Sequence, residues 1–262
     1  MVIARFLDAD GHERYGEPVS DDEARLIEGS IFGPHRLGDA TATIARLLPP
    51  VSPPNVFGIG LNYRAHAAEG GRDLPEHPLV FLKATSSVIA SGEPILLPPS
   101  APNEVDFEAE LAIVIGRRAS RVTVEQAPDY VLGYTCANDV TARDCQKRID
   151  RQWTRAKGFD TFCPLGPWLV TADAFDPRDA TVECRLNDRV MQQGHTADLV
   201  FDCPTLISYL SHQFTLWPGT VICTGTPAGV GFSRQPPVFL SAGDQVSVRI
   251  SGIGTLVNPV GA

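Results

Sequence analysis

No apolar run in this 262-residue chain approaches the ~20 residues that a helix needs to cross a bilayer. The opening Met1-Val-Ile-Ala-Arg-Phe-Leu-Asp8 has no basic stretch followed by a long apolar core, so a cytoplasmic location is expected. Positive charge is scarce as well. The net charge is −9 and no basic stripe exceeds Arg117-Arg118, which argues against RNA or DNA as partners. The six cysteines form no C-x-x-C pair and no zinc-ligand spacing, so reduced, mostly buried thiols are expected. Gly225-Thr-Pro-Ala-Gly229-Val-Gly231 lacks the Gly-Lys-Ser/Thr of a phosphate-binding loop and the helix of a dinucleotide site. Tight turns explain its glycines, and so would close backbone approach to a small ligand. Only three lysines stand against nineteen arginines. Two of them, Lys83 and Lys157, adjoin apolar residues, where a solubilising charge is not expected.

What is present is a series of short apolar runs separated by turn residues, from Val56 to Ile250, with few helical patterns (62–69, 123–130, 139–151 and 204–215). The pattern predicts a mixed, mainly β fold with a few covering helices. Before it, residues 2–7 and the segment after Gly11 read as a hairpin, and 20–48 combines an acidic helix start with loop chemistry. The proline-rich stretch from Leu48 to Pro54 reads as a linker, which divides the chain into a small N-terminal part, 1–54, and a catalytic domain, 55–262.

Asp106, Glu108 and Glu110 occupy alternate positions of one predicted strand, so they share a face, about 6.5 Å apart. Such crowding is unfavourable unless water, protons or a cation relieves it. The residues fit either a solvated acidic edge or a site for a hard divalent metal. Asp139 reads as a helix N-cap or, at the end of an apolar strand, as a third ligand. Arg143 and Gln146, on the helix predicted after it, suit a substrate carboxylate. His66 and Glu69 share a face of a short helix capped by Asn62 and stopped by Gly70-Gly71. Such a pair is either an idle surface contact or a general base oriented by its carboxylate.

Together these segments resemble the fumarylacetoacetate hydrolase superfamily. The resemblance rests on Gly60-Leu-Asn-Tyr-Arg-Ala-His66-Ala-Ala-Glu69, Phe81-Leu-Lys83, Asp106-Phe-Glu108-Ala-Glu110-Leu, Asn138-Asp139-Val-Thr-Ala-Arg143-Asp144, the run from Trp153 through Lys157 and Gly166, and Gly225-Thr226-Pro227-Ala-Gly229-Val-Gly231. It implies rolled mixed β-sheets, a homodimer, and one divalent ion, Mg2+ or Mn2+, in each subunit. By position Glu108, Glu110 and Asp139 correspond to the metal ligands, and Asp106 to none, leaving it behind them as a supporting acid. His66 and Glu69 fall on the dyad that activates water in hydrolytic members. Lys157, Arg143, Gln146 and Thr226 fall on positions lining the substrate, and Lys83 matches a further basic position near the pocket. One departure is Leu61, where many acylpyruvate-cleaving relatives carry a basic residue that anchors a second carboxylate.

The activity expected first is hydrolysis of a carbon–carbon bond in an acylpyruvate or related 1,3-dicarbonyl 2-oxo acid of aromatic degradation. The alternative is an isomerase, keto–enol tautomerase or decarboxylase of 2-oxo dicarboxylates, a branch that the run Phe159-Asp-Thr-Phe-Cys-Pro-Leu-Gly-Pro167 resembles. In these readings Lys157 moves or holds a proton, its pKa lowered by burial. A binding protein that kept the fold and lost the reaction is a third reading.

Overall fold

The computed structural model describes residues 1–262. Residues 1–54 form β1 (Val2–Leu7), β2 (Glu13–Pro18), β3 (Glu23–Gly29), β4 (His35–Thr43) and β5 (Arg46–Leu47). Next come β6 (Val56–Gly60), α1 (Arg64–Glu69), β7 (Leu79–Lys83), β8 (Val88–Ile89), β9 (Ile95–Leu96), β10 (Val105–Asp106), β11 (Ala109–Ile115), β12 (Val131–Asn138) and β13 (Thr141–Ala142). The remainder holds α2 (Trp153–Lys157), β14 (Cys163–Thr171), β15 (Thr181–Leu186), β16 (Arg189–His195), α3 (Cys203–Gln213), β17 (Val221–Cys223), β18 (Gln245–Ile250) and β19 (Gly254–Gly261). The protein is mainly β with mixed sheets.

The largest sheet runs β4-β3-β2-β1-β14-β12-β11-β17-β6-β7, and a second runs β16-β15-β18-β19-β9. Every residue of β11 is buried, which is why its Ala-Glu-Leu-Ala-Ile-Val-Ile is continuously apolar after Glu110. Leu111, Ile113 and Ile115 join Phe107 in the main core, while Ala112 and Val114 join a second cluster with Ile3, Val51 and Leu169. The N-terminal strands thus share a core with the rest, and β1 pairs with β14 through Val2↔Val170 and Ile3↔Leu169.

Four local expectations change. The acidic Ser20-Asp-Asp-Glu segment opens β3, not a helix, because 23–29 pairs on both sides with β2 and β4. The 123–130 pattern shortens to one 3-10 turn at Ala127–Tyr130. Asp139 does not begin a helix: Thr141 and Ala142 pair with Asp106 and Val105, and only one π-helical turn, Cys145–Ile149, follows. Pairing across sequence outweighs the local i,i+4 pattern there. Asn62 is not the cap of α1, which has no side-chain cap. α3 does form, with Asp202 as N-cap and Pro204 in its first turn.

Asn62 is fully buried and acts as a clasp. Its Nδ2 donates to Phe201 O and Thr224 O, and its Oδ1 accepts from Phe201 N. It therefore ties the base of α1 to the end of β17. Asn62→Ala leaves these backbone groups without a partner; a loss of about 2–4 kcal/mol in urea unfolding is expected.

Candidate active site

The site is assembled where the central strands end. The antiparallel register Ala109↔Asn138 sets Asp139 beside Glu108, and Asp139 N donates to Glu108 O at 2.9 Å. Asn138 Oδ1 accepts from Glu108 N at 3.0 Å. Carboxylate oxygens of Glu108, Glu110 and Asp139 all lie within 4.8 Å of one another, and all three residues are buried. The strand carrying the acids is interrupted, since Phe107 and Glu108 link β10 to β11. Asp106 is thereby separated from the other two. Its oxygens accept from the N–H groups of Phe107, Gly231 and Phe232 and from Arg143 Nε, at 2.8–3.0 Å.

Three buried cations interleave these acids. Arg143 donates to Asp106 through Nε and to Glu108 Oε1 through Nη2 at 2.6 Å, while its Nη1 reaches Gln146 Oε1 at 2.9 Å. Lys157, from the last turn of α2, donates to Glu108 Oε2 at 2.9 Å, Asp139 Oδ2 at 2.5 Å and Thr141 Oγ1 at 2.8 Å. Lys83, from the end of β7, donates to Asp139 Oδ1 at 2.5 Å and lies behind that carboxylate rather than on the cavity wall. Burial alone would raise Glu108, but Lys157 and Arg143 hold it well below the usual carboxylate range. Glu110 has no cation of its own. Burial first, then the Asp139 and Glu108 charges, push its pKa well above the ordinary value. Burial also pulls Lys157 toward its neutral form, yet Asp139 and Glu108 outweigh it and its pKa is raised. The lowered lysine pKa expected from burial is therefore absent from this arrangement, and all three ammonium protons are committed.

His66 faces the same cavity from α1. Its Nδ1 lies 3.2 Å from Glu69 Oε2, and since a carboxylate only accepts, Nδ1 carries a proton, which in the neutral ring leaves the lone pair on Nε2. Glu69 Oε1 accepts in turn from Gly229 N at 2.9 Å. The glycine-rich loop thus holds both the dyad, through Gly229, and Asp106, through Gly231. Its glycines answer to protein rather than to ligand: a Cβ on Gly231 would stand 1.9 Å from Val238 O, and one on Gly229 2.3 Å from Met191 O.

Gln192, buried on β16, gave no local signal in the sequence because its partners are distant. Its Oε1 accepts from Ala109 N, and its Nε2 donates to Pro227 O and to Thr226 Oγ1 at 2.7 Å. A backbone N–H can only donate and a carbonyl can only accept, so the amide orientation is unambiguous. Thr226 Oγ1 donates its own hydrogen to Ala109 O. Toward the cavity this hydroxyl consequently presents a lone pair.

The cavity has a volume of about 520 Å3 and is lined by His66, Glu108, Glu110, Arg143, Gln146, Lys157 and Thr226, together with Leu61 and Trp153. Of the residues singled out from sequence, Glu69, Asp139 and Lys83 stand behind this wall, each bonded to a group of the site. Residues 55–261 match the family of fumarylacetoacetate (FAA) hydrolase C-terminal domains. The chain belongs to this family of enzymes.

Relatives within the fumarylacetoacetate hydrolase family carry different activities. The mitochondrial oxaloacetate tautomerase of Rattus norvegicus is 43% identical over 215 residues, covering 82% of this chain and 68% of its own. The 5-carboxymethyl-2-hydroxymuconate delta-isomerase of Mycobacterium smegmatis is 42% identical, covers 100% of this chain and 99% of its own, and superposes with a TM-score of 0.88. A fumarylacetoacetate hydrolase of Exiguobacterium antarcticum is 38% identical with a TM-score of 0.89 over 100% and 99% of the two chains. No helix of this chain is long and apolar enough to cross a membrane.

The donor set fits a divalent cation. Three buried carboxylates offer only oxygen, and Glu110, the one of them without a cationic partner, has its pKa raised by burial and by the neighbouring Asp139 and Glu108 charges. A raised carboxylate pKa destabilises the metal-free fold as pH rises above the unfolded value, since the unfolded chain releases that proton first. Glu110→Gln keeps an acceptor for Gly225 N and removes the burden. It is expected to raise the melting temperature of the metal-free protein at neutral pH, by ~2–4 °C for each kcal/mol relieved. If a divalent cation binds these carboxylates, it should raise the melting temperature of the wild type and not that of the variant; differential scanning calorimetry reads both effects.

Proposed function

We propose that the protein is a metal-dependent keto–enol tautomerase or isomerase of a 2-oxo dicarboxylate, with Mg2+ or Mn2+ held by Glu108, Glu110 and Asp139. This reverses the order of the two activities expected from sequence. The observation that carries it is the pairing, in one cavity, of an all-carboxylate cation site with the His66 imidazole, oriented by Glu69, as a proton-transfer group. The tautomerase and delta-isomerase activities named for relatives at 43% and 42% identity support the same reading.

Tautomerisation needs one proton moved between carbon and oxygen, with no bond broken in the carbon skeleton and no water consumed. A bound divalent cation supplies positive charge that stabilises the enolate. His66 Nε2 accepts the C3 proton and returns it to the C2 oxygen, while Glu69 fixes the tautomer and stabilises the imidazolium. The Gln146 amide NH2, free because Oε1 takes the Arg143 N–H, is a donor for the substrate carboxylate. Thr226 accepts from the enol hydroxyl. Lys157 holds Glu108 and Asp139 in place and keeps their charges separate from the substrate.

Hydrolysis of an acylpyruvate is the second reading, favoured by the hydrolase relative with a TM-score of 0.89. In it the same His66 lone pair would take a proton from water. Oxaloacetate and an acylpyruvate, each followed by enol absorbance and by product analysis, separate the two. Loss of enol absorbance with an unchanged carbon skeleton is the expected outcome; release of two acids would replace it with the hydrolase, and release of CO2 with a decarboxylase. His66→Ala should lower the tautomerisation kcat by about 10²–10⁴-fold with little change in Mg2+ affinity. A wild-type rate in that variant removes His66 from the reaction.

A further inference from the structure

The mouth of the cavity is lined by three cations that the fold leaves without counter-ions: Arg72, Lys147 and Arg151. Their neighbours differ. On the same stretch of chain, Arg148 pairs with Glu104 at 2.6 Å and Arg155 with Asp150 at 3.0 Å, and neither of these arginines lines the cavity. Lys147 and Arg151 do line it, and neither makes a salt bridge or a side-chain hydrogen bond. Lys147, half-buried, sits with Nζ 3.8 Å from the centroid of the Phe232 ring, whose backbone N–H is held by Asp106. Arg151 is placed by a left-handed backbone, φ +56°, a conformation that a non-glycine residue rarely adopts.

What sets these three apart from the other cations without a carboxylate partner is that they line one cavity together. The buried floor contains four carboxylates against three cations. Positive charge without a carboxylate partner therefore stands on the more exposed part of the lining, where Arg72 and Arg151 are exposed and Lys147 is half-buried. A ligand that spans the two parts meets an oxygen-binding floor and a cationic mouth. Leu61, at the position where an anchor for a second carboxylate was sought in the sequence, lines the same cavity with an apolar side chain.

We infer that Lys147 and Arg151, with Arg72, form the binding site for the far carboxylate of a dianionic substrate, replacing the anchor missing at Leu61. The inference rests on the reading of a 2-oxo acid bound at the floor, and it makes the chain selective for diacids over monoacids of equal length. Lys147 supplies a point charge on a stem steadied by Phe232, and Arg151 supplies a fork that can grip both oxygens. These are specificity residues and touch no reacting atom.

The test uses binding without turnover, so that it stands apart from the reaction assigned above. In saturating Mg2+, calorimetry compares 2-oxoglutarate with 2-oxopentanoate, which has a methyl group in place of the far carboxylate. The wild type is expected to bind the diacid at least tenfold more tightly. Lys147→Gln and Arg151→Gln should each weaken the diacid severalfold and leave the monoacid unchanged; Lys147→Arg should restore most of the loss, and Arg148→Gln should change neither ligand. Equal affinity for the two ligands in the wild type, binding of neither, or equal loss of both in the variants would overturn the inference. Diacid selectivity in a protein that does not tautomerise oxaloacetate would leave this site standing and remove the proposed reaction.

Discussion

Everything around the cavity depends on how four carboxylates come to be buried together. Ionised carboxylates taken out of water cost several kcal/mol apiece unless opposite charge and hydrogen bonds replace the lost hydration. Arg143 answers Asp106 and Glu108, Lys157 answers Glu108 and Asp139, and Lys83 answers Asp139. The chain has only three lysines, and two are spent here. Glu110 remains outside this pairing, and burial together with the Asp139 and Glu108 charges raises its pKa. A divalent cation is the species that would offset those charges.

The same cluster binds the elements to one another. Strand β11 contributes Glu110, and its register with β12 sets Asp139, the residue just after β12; α2 and β7 contribute the lysines; the glycine-rich loop seals Asp106 through backbone N–H groups. That loop also holds Glu69 and so fixes the His66 imidazole relative to the floor. α1 itself is a short helix with few buried residues, secured at its base by Asn62 and by Asp198 accepting from Ala65 N. The dyad is therefore carried on a short element tied at both ends, to Asp198 and Leu199 at its start and to Gly229 at Glu69.

Parts of this were legible from residues alone. Alternating acids before an apolar run announced an oxygen-rich site, and His66 and Glu69 at a spacing of three announced a dyad, because both signals are local. The run 139–151 was misleading: Asp139, Arg143 and Gln146 fit a helix face, yet Thr141 and Ala142 pair with β10. Arg143 and Gln146 meet all the same, since the turn at Cys145–Ile149 brings them together by another route. Ser20-Asp-Asp-Glu likewise imitates a helix start that two flanking strands override.

The sequence by itself determined the chemistry available: hard oxygen donors, a histidine beside a carboxylate, two lysines in apolar surroundings, and a glycine-rich turn after a strand. It also carried the family, through the order and spacing of those segments. Only the tertiary structure decided which charges neutralise one another. Asp106, equivalent to Glu108 and Glu110 by spacing, faces Arg143 and the loop; Lys157, whose pKa burial was expected to lower, has it raised between two carboxylates; Gln192, silent in sequence, sets the polarity of Thr226. The physical reason is that desolvation and Coulomb attraction depend on distance in space. The long-range partners that settle each group here lie between 16 and 126 residues away along the chain.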